Sequence, residues 1–265
     1  MLPSTTTSLG QQVSTLLSTK VLGRPLHFME ATTSTNILAL EASQKGAIHG
    51  TVFATDYQTH GRGRQGSSWI ADKGLNLIFS IILDLPVSRA VIGMTPMAAC
   101  LGVADAISDT VSPNKLQFKW PNDVVLNDRK ICGMLLQTAN QAITKVVLGI
   151  GLNVNQSKFP DDLEKYATSL LLSTGQPIDR APLMASVLLN LEKRIDQLLN
   201  QASAIRKLYM ERLIWLGENC SVTGLNQDVN GILLGIAESG ALLLETNIGI
   251  KKIYAGNVSL RVADN

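Results

Sequence analysis

The sequence has little cysteine and little histidine, and neither is grouped. Its 265 residues include 3 cysteines, Cys100, Cys132 and Cys220, far apart and without a CxxC pair. That argues against a disulfide framework or a zinc site and fits a reducing compartment, with each thiol a small buried hydrophobe. The 3 histidines, His27, His49 and His60, show no metal-ligand spacing. Charge of one sign is also missing. The 23 basic and 21 acidic residues leave a formal charge of +2, too near neutral to support sequence-independent nucleic-acid binding. The N-terminus has no positive charge before Lys20 and no apolar core, so it does not read as a secretory signal. No apolar run reaches the roughly 18 residues of a membrane-crossing helix. The expectation is a cytoplasmic protein with no membrane partner. Repeats and low-complexity tracts are absent beyond a Ser/Thr-rich start. What is present is 45% hydrophobic and 17% charged, a composition that supports a sizeable core. The length suits one large domain with a small companion.

Periodicity organises the rest. Leu9, Val13, Leu16 and Leu17 have helical spacing within an N-terminal extension, residues 1–26. Thr32–Thr35 offers N-caps for a helix through Ile37–Ser43. Thr51–Tyr57 has strand character, and Leu75–Leu83 reads as a central apolar strand interrupted only by Asn76 and Ser80. Met94–Ser108 reads as a buried helix. Leu116–Trp120 and Val124–Leu126 are short strands around Pro121, and Lys130–Thr138 returns through a tight Asn127-Asp128 turn. Lys145–Asn153 is a further strand, and Ala181–Leu199 carries a helical apolar stripe. Tyr209, Leu213 and Trp215 are expected to close that helical layer. From Leu216 the character changes. Cys220–Thr223, Gly231–Ala237, Ala241–Glu245 and Ile253–Arg261 are short strands spaced by turns such as Ser239-Gly240 and Ala255-Gly256, as in a small β-barrel. The expected division is 1–26, 27–216 and 217–265, an α+β class with a mixed sheet, flanking helices and a small C-terminal barrel.

Three stretches carry chemistry. Gly61-Arg62-Gly63-Arg64-Gln65-Gly66 is too rich in glycine for a stable helix or strand interior. It suits a loop whose backbone approaches a ligand while guanidinium groups hold anionic oxygen. A solvated basic turn is the plain alternative. In Lys119-Trp120-Pro121-Asn122-Asp123 the proline forces a turn, placing Lys119, Asn122 and Asp123 near a strand end. Asp123 suits Mg²⁺ or a ribose hydroxyl, and Asn122 a base or a phosphate; the same run also reads as an exposed lysine and a turn. Gly149 and Gly151 alternate along one strand, so both face one side and leave room there. Asn153 shares their parity, so its amide is expected in the same space.

Taken together, these motifs resemble the biotin protein ligases over roughly residues 27–265. The shared signatures are Ser34-Thr35-Asn36, Tyr57-Gln58 before the Gly/Arg run, Lys119–Asp123, Arg129-Lys130-Ile131-Cys132-Gly133, and Gly149–Asn153. The resemblance implies an SH3-like C-terminal barrel and a two-step ligase reaction. Biotin and ATP with Mg²⁺ give biotinyl-5′-AMP, and a lysine of a biotin carboxyl carrier protein domain then takes the biotin. It implies no tightly bound prosthetic group. Arg64, Lys119 and Lys130 are its implied catalytic cations. Ser34, Thr35, Gln58, Gly61, Arg62, Lys130 and Gly133 are implied to bind biotin. Arg64, Trp69, Asn122, Asp123 and Asn153 are implied for ATP, with Asp123 also at Mg²⁺. Many members carry an N-terminal winged helix-turn-helix that represses transcription. Twenty-six residues before His27 are too few for one, so no DNA partner is expected; a homodimer stays open. Gln137 stands where an acidic residue is expected. The rival readings are a lipoate or octanoyl ligase or transferase of the related fold, a biotin-responsive repressor, and an RNA-binding module using the Arg-Gly segment. The last lacks interleaved aromatics.

Overall fold

The computed structural model describes residues 8–139, 144–224, 228–254 and 259–262. In chain order these residues form α1 (Leu9–Leu16), β1 (Leu26–Met29), α2 (Thr35–Gln44), β2 (Val52–Thr55), β3 (Leu77–Asp84), α3 (Arg89–Gly93) and α4 (Thr95–Ile107). Then come β4 (Leu116–Lys119), β5 (Asp123–Leu126), β6 (Arg129–Thr138), β7 (Lys145–Leu152), α5 (Asp161–Glu164), α6 (Leu170–Thr174), α7 (Arg180–Asn200) and α8 (Ala202–Met210). The last elements are β8 (Asn219–Thr223), β9 (Val229–Ile236), β10 (Leu242–Thr246), β11 (Gly249–Ile253) and β12 (Ser259–Val262).

The first seven strands make one mixed sheet in the order β1-β2-β3-β7-β6-β5-β4. β1 and β2 run parallel, and the other neighbours run antiparallel. Strand alternation gives this sheet two different faces. Leu77, Phe79, Ile81 and Leu83 of β3 enter the main core with Leu148, Ile150 and Leu152 of β7, under α4 and α7. On the opposite face Ile82 and Val147 meet Ala39 of α2 in a smaller cluster. By the same alternation Ser80, Gly149, Gly151, Gly133 and Gln137 lie on this second face. A helix stripe explains the main-core side: Leu183, Val187, Leu188, Leu191, Ile195 and Leu198 of α7 are all buried. Among the described residues no helix is long and apolar enough to cross a membrane.

Residues 8–26 are tied down. Ser8 and Gln11 form a capping box at the start of α1. The Glu192 carboxylate on α7 accepts the backbone N–H groups of Lys20 and Val21 at 2.7 Å and of Leu22 at 3.0 Å. Three charge-assisted bonds on one carboxylate form a clamp. Glu192→Ala is expected to lower unfolding stability by about 2 kcal/mol in a denaturant titration. A loss under about 0.5 kcal/mol, the range of ordinary surface changes, contradicts a clamping role.

The last five strands make an antiparallel sheet ordered β11-β10-β9-β8-β12. Its core holds Cys220, Val222, Leu233, Ile236, Leu242, Leu244, Ile253 and Leu260. One expected strand needs correction. Ile253 ends β11 and a separate strand, β12, starts at Ser259, so Ile253–Arg261 is not one element. The reading missed β11 because Gly249–Lys252 is exposed throughout and has no apolar alternation. The turn expected at Ala255-Gly256 lies outside the described residues. α8 was also not recognised, although Tyr209 upon it closes the layer as expected, stacked on Phe118 with ring centres 5.0 Å apart. The two sheets communicate through Trp120, whose Nε1 donates to the Gly240 carbonyl at 3.2 Å.

Candidate active site

The second face of the mixed sheet is where glycines replace side chains. A Cβ on Gly149 would run into the Asn36 amide, and one on Gly151 would run into the Trp69 ring. The two side-chain-free positions read from the sequence therefore admit one polar group and one aromatic ring over the sheet. Beside them lies a cavity of about 470 Å³, lined among others by Ser34, Thr35, Gln58, Arg62, Arg64, Trp69, Asn122, Asp123, Lys130 and Gly133. A second cavity of about 1140 Å³ shares residues 62–69 with Gln58 and Asn122 and reaches Tyr57, His60, Asp72 and Gln137.

The wall between them is the Gly/Arg segment, which folds back on itself as a short hairpin. Trp69 N donates to Gly61 O at 3.0 Å, Arg62 bridges Ser68, and Gly63 N donates to Ser67 O at 2.7 Å. A 3₁₀ turn over Arg64–Gly66 makes the tip, with Gln65 at φ 56° and Gly66 at φ 75°. The segment thus has more internal order than its glycine content suggested. The turn aims Arg64 inward, where its Nη1 donates to Asn122 Oδ1 at 3.1 Å. Burial pulls the guanidinium below its ordinary pKa, and nearby Asp123 opposes that shift.

The β5–β6 hairpin supplies the opposite wall. Asn127 and Asp128 both have positive φ, as a tight two-residue hairpin turn requires. The turn brings Lys130 of β6 back beside Asp123 of β5, and Lys130 Nζ lies 2.7 Å from Asp123 Oδ1. The Lys130 backbone is pinned as well, donating to Tyr166 O at 2.7 Å and accepting from Thr168 N at 2.9 Å. The ammonium also stands 5.7 Å from the centre of the Trp69 ring. Trp69 Nε1 is buried and finds no partner among the described residues.

At the far end of the cavity α2 begins. Ser34 is the N-cap residue but makes no side-chain capping bond. Gln58 Oε1 accepts instead from Thr35 N at 2.8 Å and faces Thr35 Oγ1 at 3.2 Å. Ser80 and Asn36 continue this polar group inward, and Asn36 Nδ2 donates to Gln137 Oε1 at 2.9 Å.

Two expected residues stand elsewhere. The Lys119 ammonium lies over the Trp215 ring, 5.0 Å from its centre, and Lys119 is not among the residues lining either cavity. Burial lowers its pKa, partly offset by Asp123. Asn153 does not project into the cavity as its parity suggested. Its Nδ2 donates to Thr168 O at 3.0 Å, because β7 ends at Leu152 and the alternation ends with it. Gly61 lines the second cavity alone. The sequence reading gave no role to Asn36, Ser80 or Leu135. Ser80 had left a trace as a polar interruption in an apolar strand.

The chain is similar to known proteins along almost its whole length. Residues 28–155 match the biotin/lipoate A/B protein ligase family, and residues 215–261 match the biotin protein ligase C terminal domain. A bifunctional ligase/repressor of Bacillus subtilis is 36% identical over 253 residues, covering 92% of this chain and 76% of that protein. A biotin–[acetyl-CoA-carboxylase] ligase of Mycobacterium tuberculosis is 35% identical over 243 residues, covering 89% and 88%. Among solved structures, the Aquifex aeolicus biotin protein ligase in complex with biotin and ATP superposes with a TM-score of 0.78 at 28% identity, covering 90% of this chain and 99% of that one.

Proposed function

The chain belongs to the biotin protein ligase family, and we propose that it joins biotin to a lysine of a carboxylase's biotin carrier domain. Biotin is first activated with ATP. Its carboxylate oxygen attacks the α-phosphorus, the bond to the β-phosphate oxygen breaks, and pyrophosphate leaves. The acceptor amine then attacks the acyl carbon, AMP leaves, and the amine loses a proton.

The observation that carries this reading is the single cavity with a cationic end and a neutral polar end. Arg64 and Lys130 at one end suit two anions brought together. Ser34, Thr35 and Gln58 at the other suit the uncharged ureido ring, which has donors and acceptors. The Gly61–Trp69 hairpin covers the space between, a position from which it shields a mixed anhydride from water. Trp69 offers a ring for the adenine to stack on, and Asn122 an amide for the nucleotide. Lys119 acts at a distance, through its charge on Asp123. Asn153 holds the segment that pins Lys130. The working units are 27–216 for catalysis and 217–265 for the smaller sheet, with 1–26 as an extension whose described part, from residue 8, is held on α7.

Asp123 fits Mg²⁺ only as a partial ligand. Among the described residues no cluster of three metal-ligating side chains exists, so the ion would be held by this carboxylate and the phosphates of ATP. Bound there, it would neutralise phosphate charge.

The test is direct. Incubation with biotin, MgATP and a carrier domain should yield a biotinylated lysine by mass spectrometry. No product, with lipoate or octanoate accepted instead, sinks the reading in favour of the related acyl ligases. A second result is expected at the neutral end. Gln58→Ala should weaken biotin binding by about 1–3 kcal/mol, the cost of one lost buried partner. ATP affinity measured without biotin should hardly change. Unchanged biotin affinity in calorimetry would remove Gln58 from the ring site.

A further inference from the structure

The neutral end of the cavity is backed by a chain of hydrogen bonds whose direction can be worked out. It is anchored at both ends by backbone groups of fixed polarity. At one end Thr35 N–H can only donate, and it donates to Gln58 at 2.8 Å. That fixes the Gln58 oxygen toward Thr35 and turns its Nε2 the other way, toward Gly61. At the other end the Leu135 carbonyl can only accept, and Asn36 Nδ2 lies 3.4 Å from it and 2.9 Å from Gln137 Oε1. That fixes the Asn36 oxygen toward Ser80.

Ser80 is fully buried, with its hydroxyl oxygen 2.6 Å from Asn36 Oδ1 and 2.8 Å from Thr35 Oγ1. It has one proton. Asn36 Oδ1 has none, so the short Ser80–Asn36 contact is a hydrogen bond only if Ser80 donates there. Ser80 then meets Thr35 as an acceptor, and the Thr35 proton has two acceptors to choose between, Ser80 at 2.8 Å and Gln58 Oε1 at 3.2 Å; the shorter contact turns it inward to Ser80. What Thr35 shows the cavity is a lone pair. Gln58, which lines the same cavity, has its oxygen already used and only its N–H left to offer, on the side toward Gly61.

We infer that Asn36 and Ser80 are positioning residues that set the polarity of the ligand site through Thr35. The site then offers one acceptor and one donor, the complement of an N–H beside a carbonyl in a cyclic urea. This rests on the proposed biotin activity. The relay discriminates against rings that carry an acceptor in place of that N–H, because two lone pairs would then face each other.

The experiment measures direct binding of four probes: biotin, desthiobiotin, and the two cyclic carbamate analogues in which one or the other ureido N–H is replaced by oxygen. Wild-type protein is expected to prefer biotin over the less favoured carbamate by tenfold or more, about the worth of one buried hydrogen bond. In Ser80→Ala the Thr35 proton loses its 2.8 Å acceptor, keeps only the longer 3.2 Å contact to a Gln58 oxygen that already accepts from Thr35 N, and is freer to turn outward. The preference should then shrink severalfold, while the ratio of biotin to desthiobiotin, which both keep the urea, stays constant. Ser80→Cys, close in shape and a weaker acceptor, should fall between. A carbamate ratio within twofold of wild type in Ser80→Ala overturns the relay. So does a parallel fall in both ratios, which would mean general damage to the pocket. Wild-type protein that binds no biotin would instead refute the proposed function.

Discussion

Replacing Lys130 by alanine is expected to lower biotinyl-5′-AMP formation by about 10²-fold or more, the scale of losing one preorganised charge stabiliser. The adenylation step brings a carboxylate against an α-phosphate. Two like charges must approach before any bond forms. Lys130 stands where it can hold both, with Nζ 2.7 Å from Asp123 and close to the Trp69 ring. Its backbone is clamped on both sides by Tyr166 and Thr168, so the charge is already in place. In the second step the acyl-adenylate exists and that repulsion is gone. Supplying pre-made biotinyl-5′-AMP should therefore restore most of the transfer to a carrier lysine. Lys130→Arg should restore little, because a planar fork does not replace a compact ammonium against Asp123. Single-turnover rates for each half-reaction separate the cases. An equal loss in both halves would assign Lys130 a general structural role.

The second large effect is expected from Arg64→Ala. Arg64 joins the covering hairpin to Asn122, 3.1 Å away, on the turn between β4 and β5. With the Trp69 ring, it is a side chain through which residues 61–69 reach the opposite wall. Its removal costs at least one charge-assisted hydrogen bond, about 1.5–3 kcal/mol, so escape of the intermediate should rise by tenfold or more. Free biotinyl-5′-AMP should accumulate when no carrier domain is present, and lysines of unrelated proteins should become labelled in its presence. Chromatography of the released adenylate gives the rate. Escape no faster than wild type, with adenylation slowed, would mean that Arg64 serves chemistry and does not hold the cover.

The two variants separate functions that the sequence had pooled. Arg64, Lys119 and Lys130 looked alike as basic residues beside motif glycines or a proline. Their ordinary spacing gives no reason to rank them. Folding does, because the β5–β6 turn and the hairpin tip bring Lys130 and Arg64 to the cavity walls, while Lys119 turns onto Trp215.

Periodicity and turn chemistry by themselves determined the α+β class, the main strands and helices and the change of character near Leu216, while the family came from the resemblance of several motifs in order. Those signals are local: an apolar stripe on α7, a Gly-rich run, an Asn-Asp turn. The glycine parity of β7 was local too, and it correctly put Gly149 and Gly151 on one face. The same rule failed at Asn153, because parity holds only while the strand continues and β7 stops at Leu152. β11 was illegible for a related reason. Its four exposed residues take their strand form from pairing with β10, not from their own pattern. Ser80 marks the limit most clearly. In the sequence it is one polar residue in an apolar strand. Only the packing of α2 over β2, β3 and β7 sets its hydroxyl between Thr35 and Asn36, and a hydrogen-bond direction has no existence until both neighbours are in place.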